Sequence, residues 1–577
     1  MKTAATKRTR LRAGIIGALF MLALLAVGAQ AVRLHVFKGA WLSERASKEY
    51  ERAMVVQGKR GAIFDRNGSP LAVSIDSPSI AAYPRRIEDR KAASDQLART
   101  LGQPQRRVYN KLTPKRSFVW LKRQAVPRQA ESIRNLGIKG VDFITEHSRY
   151  YPSKTLAAQL LGFSGVDGHG LEGLEFYFDT TLRGREQAIT VLKDALGRRF
   201  EGANIPVLTE GNNVVLTIDR TIQHIAQKAL EKTVTKHDAR SGIAIVMTPA
   251  TGELLALAHY PFFNPNSYRD FERERWRNRA VTDAFEPGST MKIFSVAAAI
   301  DSGVCSPSTI FYCENGEYHI GKNIIHDTKS HGWLSLQQIV KYSSNIGSVK
   351  MAEKLGSRQL YDYLRGFGFG QRSGIDCPGE TAGSLSSFKA WSAIDTGAIA
   401  FGQGISVSAI QLIAATSAIA NDGLLMKPML VKAITDRKGQ PVKQYAPEPV
   451  RRAVSSQSAV TVRRILKTVI TEGGTGVNAA LEGYSVCGKT GTAQKIDGSG
   501  TYAKGRFLAS FVGFAPADRP ELAILVLVDE PKEQTYGGIV AAPAFRQIAL
   551  ETLSYLNIPP GPDADRLQVS RGNRANG

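Results

Sequence analysis

The longest apolar run in the chain is Ala13 to Val32, twenty uncharged residues closed by Arg33 and preceded by Lys2, Lys7, Arg8, Arg10 and Arg12. As a helix it spans about 30 Å, the thickness of a hydrocarbon core. The basic flank predicts a cytoplasmic tail over 1–12, a transmembrane helix over 13–32 and a chain that faces outward beyond residue 33. A cleaved signal peptide is the competing reading, because Ala29-Gln30-Ala31 fits the small-x-small rule. No later run is long and apolar enough to span again.

Beyond the run, residues 34 to about 215 predict short alternating strands with glycine-marked turns. Two dense patches stand out there, Lys59 to Gly68 and Arg149 to Glu175. Asn67-Gly68 reads as a turn between flanking strands. A second region opens at Leu216-Thr217-Ile218-Asp219, followed by an amphipathic stretch from Thr221 to Thr235. Ile243–Met247 and Glu253–Ala258 predict a hairpin around a Pro249–Gly252 turn. Gly483–Thr492, Leu508–Phe514 and Leu522–Val528 predict three more strands. Residues 280–430 are mainly helical in pattern, and Ala541–Tyr555 predicts a closing helix. The class is α+β: an antiparallel sheet with a helical insertion and terminal helices. The pattern divides the chain into a first domain over 33–215, a second domain over 216–558 and a polar tail over 559–577.

Composition narrows the partners. The net charge is +24. Such a surface suits nucleic acid, anionic headgroups or an anionic polymer. No zinc-finger spacing, ribonucleoprotein motif or basic block favours nucleic acid. Cys305, Cys313, Cys377 and Cys487 allow up to two bridges in three connectivities, or are small buried apolar residues. No cofactor is expected, and no metal, because no His/Cys cluster has ligand spacing.

Three motifs carry chemistry. Ser289-Thr290-Met291-Lys292 follows the chain break Pro287-Gly288 and begins a helical run to Ile300. A serine hydroxyl needs a base to take its proton, and Lys292 lies one turn away on the same face. Lysine serves as a base when burial or a nearby cation depresses its pKa. The run is apolar on nearly every face, which predicts burial, and Lys489 adds the second cation. Ser343-Ser344-Asn345 ends a predicted helix from Leu334 to Tyr342. Ser343 can pass a proton to a leaving amine, and the Asn345 amide can hold a substrate carbonyl. Lys489-Thr490-Gly491-Thr492 lies on a predicted strand where an extended peptide can pair. Gly491 permits close approach there, and Lys489 with the hydroxyls of Thr490 and Thr492 suits a terminal carboxylate. The backbone N–H groups of Ser289 and Thr492 are oxyanion-hole candidates. Each motif alone arises readily by chance; a Ser-x-x-Lys is expected about twice in such a chain. Ser386-Ser387-Phe388-Lys389 is one such decoy.

In this order the motifs resemble the active-site triplet of penicillin-binding proteins and serine β-lactamases. Arg277 to Gly288, Phe401-Gly402-Gln403-Gly404-Ile405 and Gly488 to Gln494 resemble class B penicillin-binding proteins of the septal, cell-division type. The 34–215 patches resemble the pedestal of that class. The resemblance implies a D,D-transpeptidase that cross-links peptidoglycan stem peptides, with D-Ala-D-Ala donors and amine acceptors, and that β-lactams inhibit. It also implies a single-pass protein of the cytoplasmic membrane with an extracytoplasmic catalytic domain. The implied partners are a polytopic septal glycosyltransferase and other division proteins.

Other readings remain at this point. No Glu-x-x-Leu-Asn pentapeptide lies between Ser343 and Lys489 to activate a deacylating water, which counts against a class A β-lactamase. An elongation-type transpeptidase or a D,D-carboxypeptidase would carry the same triplet. A non-catalytic β-lactam sensor or division scaffold is the alternative from a different class.

Overall fold

The computed structural model describes residues 2–39, 41, 51–184, 186–192, 210–497 and 501–561, and these fall into two compact units. The first is drawn from residues 1–59 and 184–210. It contains the helix Lys2–Val32, extended by a π turn over Arg33–Phe37. Residues Arg10–Phe37 are long and apolar enough to cross a membrane. Strands Glu51–Gln57 and Glu186–Leu192 pair antiparallel in this unit. The tail expected over 559–577 lies, but for its first three residues, outside the described residues.

The second unit holds residues 60–183 and the chain from 211 onward. Ile63–Phe64 and Pro70–Ala82 flank the expected Asn67-Gly68 turn. Gly68 takes φ +82°, and the Asp65 carboxylate accepts the N–H groups of Asn67 and Ser69. The two patches singled out in the sequence form one buried ion network. Glu175 accepts from Arg60 and from Arg149, each at 2.6 Å. Asp179 holds the other side of Arg60 at 2.6 Å.

The 34–215 region differs from its expected run of short strands. Pro70–Ala82 and Val141–Tyr150 are long paired strands, and between them lie the helices Arg90–Leu101, Gln105–Lys111 and Pro127–Arg134. These helices pack on a separate small core that includes Leu97, Val108 and Ile133. Their sequences are rich in arginine and lysine, so few apolar positions mark the period. The pedestal sheet also recruits Asn213–Leu216, Val431–Thr435 and Pro441–Gln444.

A five-stranded antiparallel sheet organises the rest. Its strands are β1 (Ser241–Met247), β2 (Leu254–Tyr260), β3 (Cys487–Ile496), β4 (Tyr502–Ala515) and β5 (Leu522–Asp529). The order is β2-β1-β5-β4-β3, which leaves β3 at an edge. All seven residues of β1 and all eight of β5 are buried, as expected of strands covered on both faces. β3 begins at Cys487 rather than Gly483, because Gly483 takes φ +82° in a turn closed by the Leu481–Tyr484 bridge.

The helices that matter for the site and its surroundings include α1 (Arg220–Lys236), α2 (Lys292–Asp301), α3 (Leu336–Tyr342), α4 (Asn345–Leu355), α5 (Ala409–Ala420), α6 (Ser456–Ile470) and α7 (Ala542–Tyr555). Asp219 caps α1 through the N–H groups of Thr221 and Ile222. α3 starts at Leu336, not Leu334, because Ser335 and Gln338 form a capping box and Trp333–Ser335 pairs as a strand. The mainly helical 280–430 stretch also contains a hairpin, Glu317–Ile320 with Asn323–His326. All four cysteines are free and buried.

Candidate active site

Gly288–Met291 forms one 3₁₀ turn that runs directly into α2. The residues of α2 from Lys292 to Ala299 are buried, as its all-round apolar pattern requires. Ser289 is half-buried at the mouth, while the Lys292 side chain is fully enclosed. Lys292 Nζ lies 3.1 Å from Ser289 Oγ. Its two shortest contacts are the Ser343 carbonyl at 2.7 Å and Asn345 Oδ1 at 2.8 Å. Both of those groups only accept. A neutral Lys292 therefore spends its two N–H groups on them and keeps its lone pair for the Ser289 hydroxyl.

Burial holds the Lys292 pKa down to about 7, against the pull of the Asp327 carboxylate in the other direction. The sequence pattern anticipated this cause. Lys489, also fully buried, is held well below its usual value by burial first and by the Lys292 charge second. The Ser343 hydroxyl stands between the two, 3.3 Å from Lys292 Nζ and 2.9 Å from Lys489 Nζ.

Ser343 ends α3 in the left-handed region at φ +64°, and Ser344 starts α4 by accepting the Gly347 N–H. The reversal between two helices brings both the carbonyl and the hydroxyl of Ser343 to the lysine pair. Asp327, at the end of the 317–326 hairpin, holds this reversal. It accepts the N–H groups of Asn345 and Ile346 at 2.5 and 3.0 Å and the Ser344 hydroxyl at 2.5 Å. A carboxylate is well matched to those N–H groups at a helix N-terminus. The Asn345 amide nitrogen donates to His326 O at 3.0 Å, leaving one of its hydrogens unassigned.

On β3, Lys489 also donates to Thr490 O at 3.2 Å, and Thr490 Oγ1 is 3.1 Å from Thr475 Oγ1. Thr492 Oγ1 accepts the Gly537 N–H at 3.1 Å, so its own hydrogen is free for a ligand. A Cβ on Gly491 would sit 2.3 Å from Ser510 Oγ, 3.0 Å from Thr290 Cγ2 and 3.1 Å from Pro287 O. The missing side chain thus lets the serine turn lie against the strand. Ser289, Ser343, Asn345, Thr490 and Thr492 line one cavity of about 570 Å³.

The structure therefore brings together Ser289, Lys292, Ser343, Asn345, Lys489, Thr490, Gly491 and Thr492 at one cleft. It leaves the decoy outside: Ser386 is exposed and accepts the Trp391 indole N–H at 2.9 Å. Asp327, Thr475 and Gly537 were missed in the sequence. The glycine runs Gly473-Gly474-Thr475-Gly476 and Tyr536-Gly537-Gly538 were a usable signal for the last two. Asp327 gave none, because only the hairpin delivers it. Among the described residues no group of His, Cys, Asp and Glu is placed to hold a metal ion.

Comparison with known proteins gives the family. Residues 242–550 match the penicillin binding protein transpeptidase domain, and residues 55–216 match the penicillin-binding protein dimerisation domain. The chain belongs to the class B penicillin-binding proteins and carries their transpeptidase domain. It is 35% identical to the "Probable peptidoglycan D,D-transpeptidase PenA" of Neisseria meningitidis over 90% of this chain and 88% of that one. It is 34% identical to the peptidoglycan D,D-transpeptidase FtsI of Escherichia coli over 88% of this chain and 86% of that one. Among solved structures, penicillin binding protein 3 from Mycobacterium tuberculosis complexed with aztreonam superposes with a TM-score of 0.70. That pair is 30% identical over 88% of this chain and 98% of the other.

Proposed function

We propose that this class B penicillin-binding protein cross-links peptidoglycan stem peptides in two acyl transfers. Ser289 Oγ attacks the carbonyl between the two terminal D-Ala residues while Lys292 takes its proton. The ester forms as the C–N bond breaks, and terminal D-Ala leaves with a proton passed through Ser343. An amine of a neighbouring stem peptide then attacks the ester, forms the new amide and returns Ser289 to its hydroxyl. Lys489, Thr490 and Thr492 hold the donor's terminal carboxylate, and Asn345 its amide. The carrying observation is the unbroken contact chain from Ser289 through Lys292 and Ser343 to Lys489. Exchange of Ser289 for Ala is the test: covalent penicillin labelling disappears in a folded protein, and persistent labelling overturns the assignment.

The finer reading is a septal enzyme, with residues 13–32 as a retained anchor and 216–558 as the catalytic domain. It is supported by the Arg277–Gly288, Phe401–Ile405 and Gly488–Gln494 segments and by the relative named FtsI. A polytopic septal glycosyltransferase and other division proteins are then its partners. A fluorescent fusion concentrates at the division site on this reading; lateral-wall localisation refutes it. A mature chain that starts at Val32 refutes the anchor.

A further inference from the structure

A second cavity, of about 340 Å³, opens beyond Ala493 and is walled by Phe285, Glu286, Gln494 and Lys495. It continues the catalytic cleft along β3. Side chains two residues apart share a strand face, so Lys489, Gly491 and Ala493 point the same way; the register shifts between Gln494 and Ile496. The serine turn marks the middle of that row: a Cβ on Gly288 would lie 3.3 Å from Ala493 Cβ. In order along the strand come the lysine pair, then Ser289, then this cavity.

The charges in its wall are unequal in status. Arg279 is paired with Asp283 at 3.0 Å and with Asp529 at 3.2 Å. Lys495 is paired with Asp529 at 2.8 Å and Glu530 at 2.6 Å. Glu286 is different. It is half-buried three residues before Ser289, and among the described residues its donors are Gly404 N–H at 2.8 Å and Tyr502 OH at 3.1 Å. Among the described residues no cation pairs with it. Withdrawing a carboxylate from water without a counter-charge is unfavourable, and here the uncompensated charge lines a void large enough for a side chain.

We propose that this cavity receives the side-chain ammonium of the donor peptide residue that precedes D-Ala-D-Ala, with Glu286 as its counter-charge. The inference rests on the transpeptidase reading. There, stem peptides supply the attacking amine, so the donor carries such a group as well. Laid along the free edge of β3 with its carboxylate at Lys489 and its penultimate carbonyl at Ser289, the donor sends its preceding residue toward Gln494 and Lys495. The acceptor enters from the leaving-group side, toward Ser343 and Lys489, and does not compete for this space. Pairing with Glu286 keeps the donor's own nitrogen protonated, hence non-nucleophilic, beside the acyl ester.

The test is competition with a fluorescent penicillin for Ser289 in the full chain. Two peptides ending in D-Ala-D-Ala are compared, one with lysine and one with Nε-acetyllysine before that pair. The lysine peptide blocks labelling at about tenfold lower concentration, as expected for one partly exposed charged contact, and added salt narrows the gap. Glu286→Gln still accepts from Gly404 and Tyr502, so it spares the local tether; it raises the lysine peptide's requirement to that of its acetylated form. Equal potency on the native protein, a gap that persists in Glu286→Gln, or no competition by either peptide overturns the proposal. If Glu286→Gln fails to fold, the native comparison and its salt response decide alone. Absence of penicillin labelling on the native protein would instead strike the acyl-serine reading.

Discussion

Asp327 accepts the backbone N–H of Asn345 at 2.5 Å, and so fixes the helix that presents the second active-site motif. The same carboxylate raises the Lys292 pKa against the depression caused by burial. One residue thus holds the second motif in place and offsets part of the effect of burial on the proposed base.

Asp327→Asn separates the two effects. The amide oxygen still accepts one of the helix N–H groups, but the negative charge is gone. The Lys292 pKa falls further below about 7, so the rise of acylation rate with pH moves to lower pH. Stopped-flow penicillin acylation across pH measures this shift. An unmoved profile contradicts the Asp327–Lys292 coupling. Asp327→Ala also removes the acceptors of Asn345, Ile346 and Ser344 and lowers the melting temperature.

Lys292→Met tests the base directly. Loss of general-base help slows acylation by about 10²–10⁴-fold. The effect on stability has the opposite sign. Lys292 binds a proton less readily folded than unfolded, so in the window from about 7 to 10.5 the unfolded state holds more protons and stability rises with pH. Lys292→Met removes this term. The variant melts higher than the native protein at pH 7, and its lead shrinks toward pH 10. Thermal denaturation at the two pH values checks both statements.

Ser386→Ala is the control for the nucleophile. Its motif has the same Ser-x-x-Lys spacing as Ser289-Thr290-Met291-Lys292, yet Ser386 sits on the surface against Trp391. Gel fluorescence with a labelled penicillin gives native intensity for this variant and none for Ser289→Ala.

Gly402→Ala distorts the nucleophile from a distance. A Cβ there would fall 2.1 Å from the Gly288 carbonyl oxygen, at a φ of +89° that side chains rarely adopt. Backbone must move, at a cost of about 1–3 kcal/mol, and what moves is the serine turn. Acylation slows by at least about tenfold. Native acylation kinetics in Gly402→Ala would show that the turn tolerates displacement.

The four cysteines give a simpler expectation. All are free and buried. Denatured, non-reduced protein therefore titrates four thiols, and added reductant leaves the melting temperature unchanged.

Much of the site was legible because its chemistry is written locally. Ser289 and Lys292 lie one turn apart on an apolar run, so both their contact and the depressed lysine pKa follow from a helix that must be buried. Thr221–Thr235 and the strands 243–247 and 522–528 were legible for the same reason, since a hydrophobic period of 3.6 or a solid apolar block identifies them. Elements set by long-range pairing were not legible. The 317–326 hairpin is mostly polar and exposed, and the pedestal helices hide their period among arginines.

What the sequence determined by itself is the set of candidate groups and their order: the proposed nucleophile, base, relay and carboxylate receptor, following one membrane-length apolar helix. Tertiary structure decided how those groups meet. It folded Ser343 into a left-handed turn between two lysines 197 positions apart in number, brought Asp327 under the second motif, left β3 at an edge of its sheet, and set Glu286, with no cation partner among the described residues, in the next cavity. The physical reason is that covalent neighbours fix only local geometry. Burial, like-charge coupling and the absence of a counter-ion depend on residues that meet only when the chain is folded.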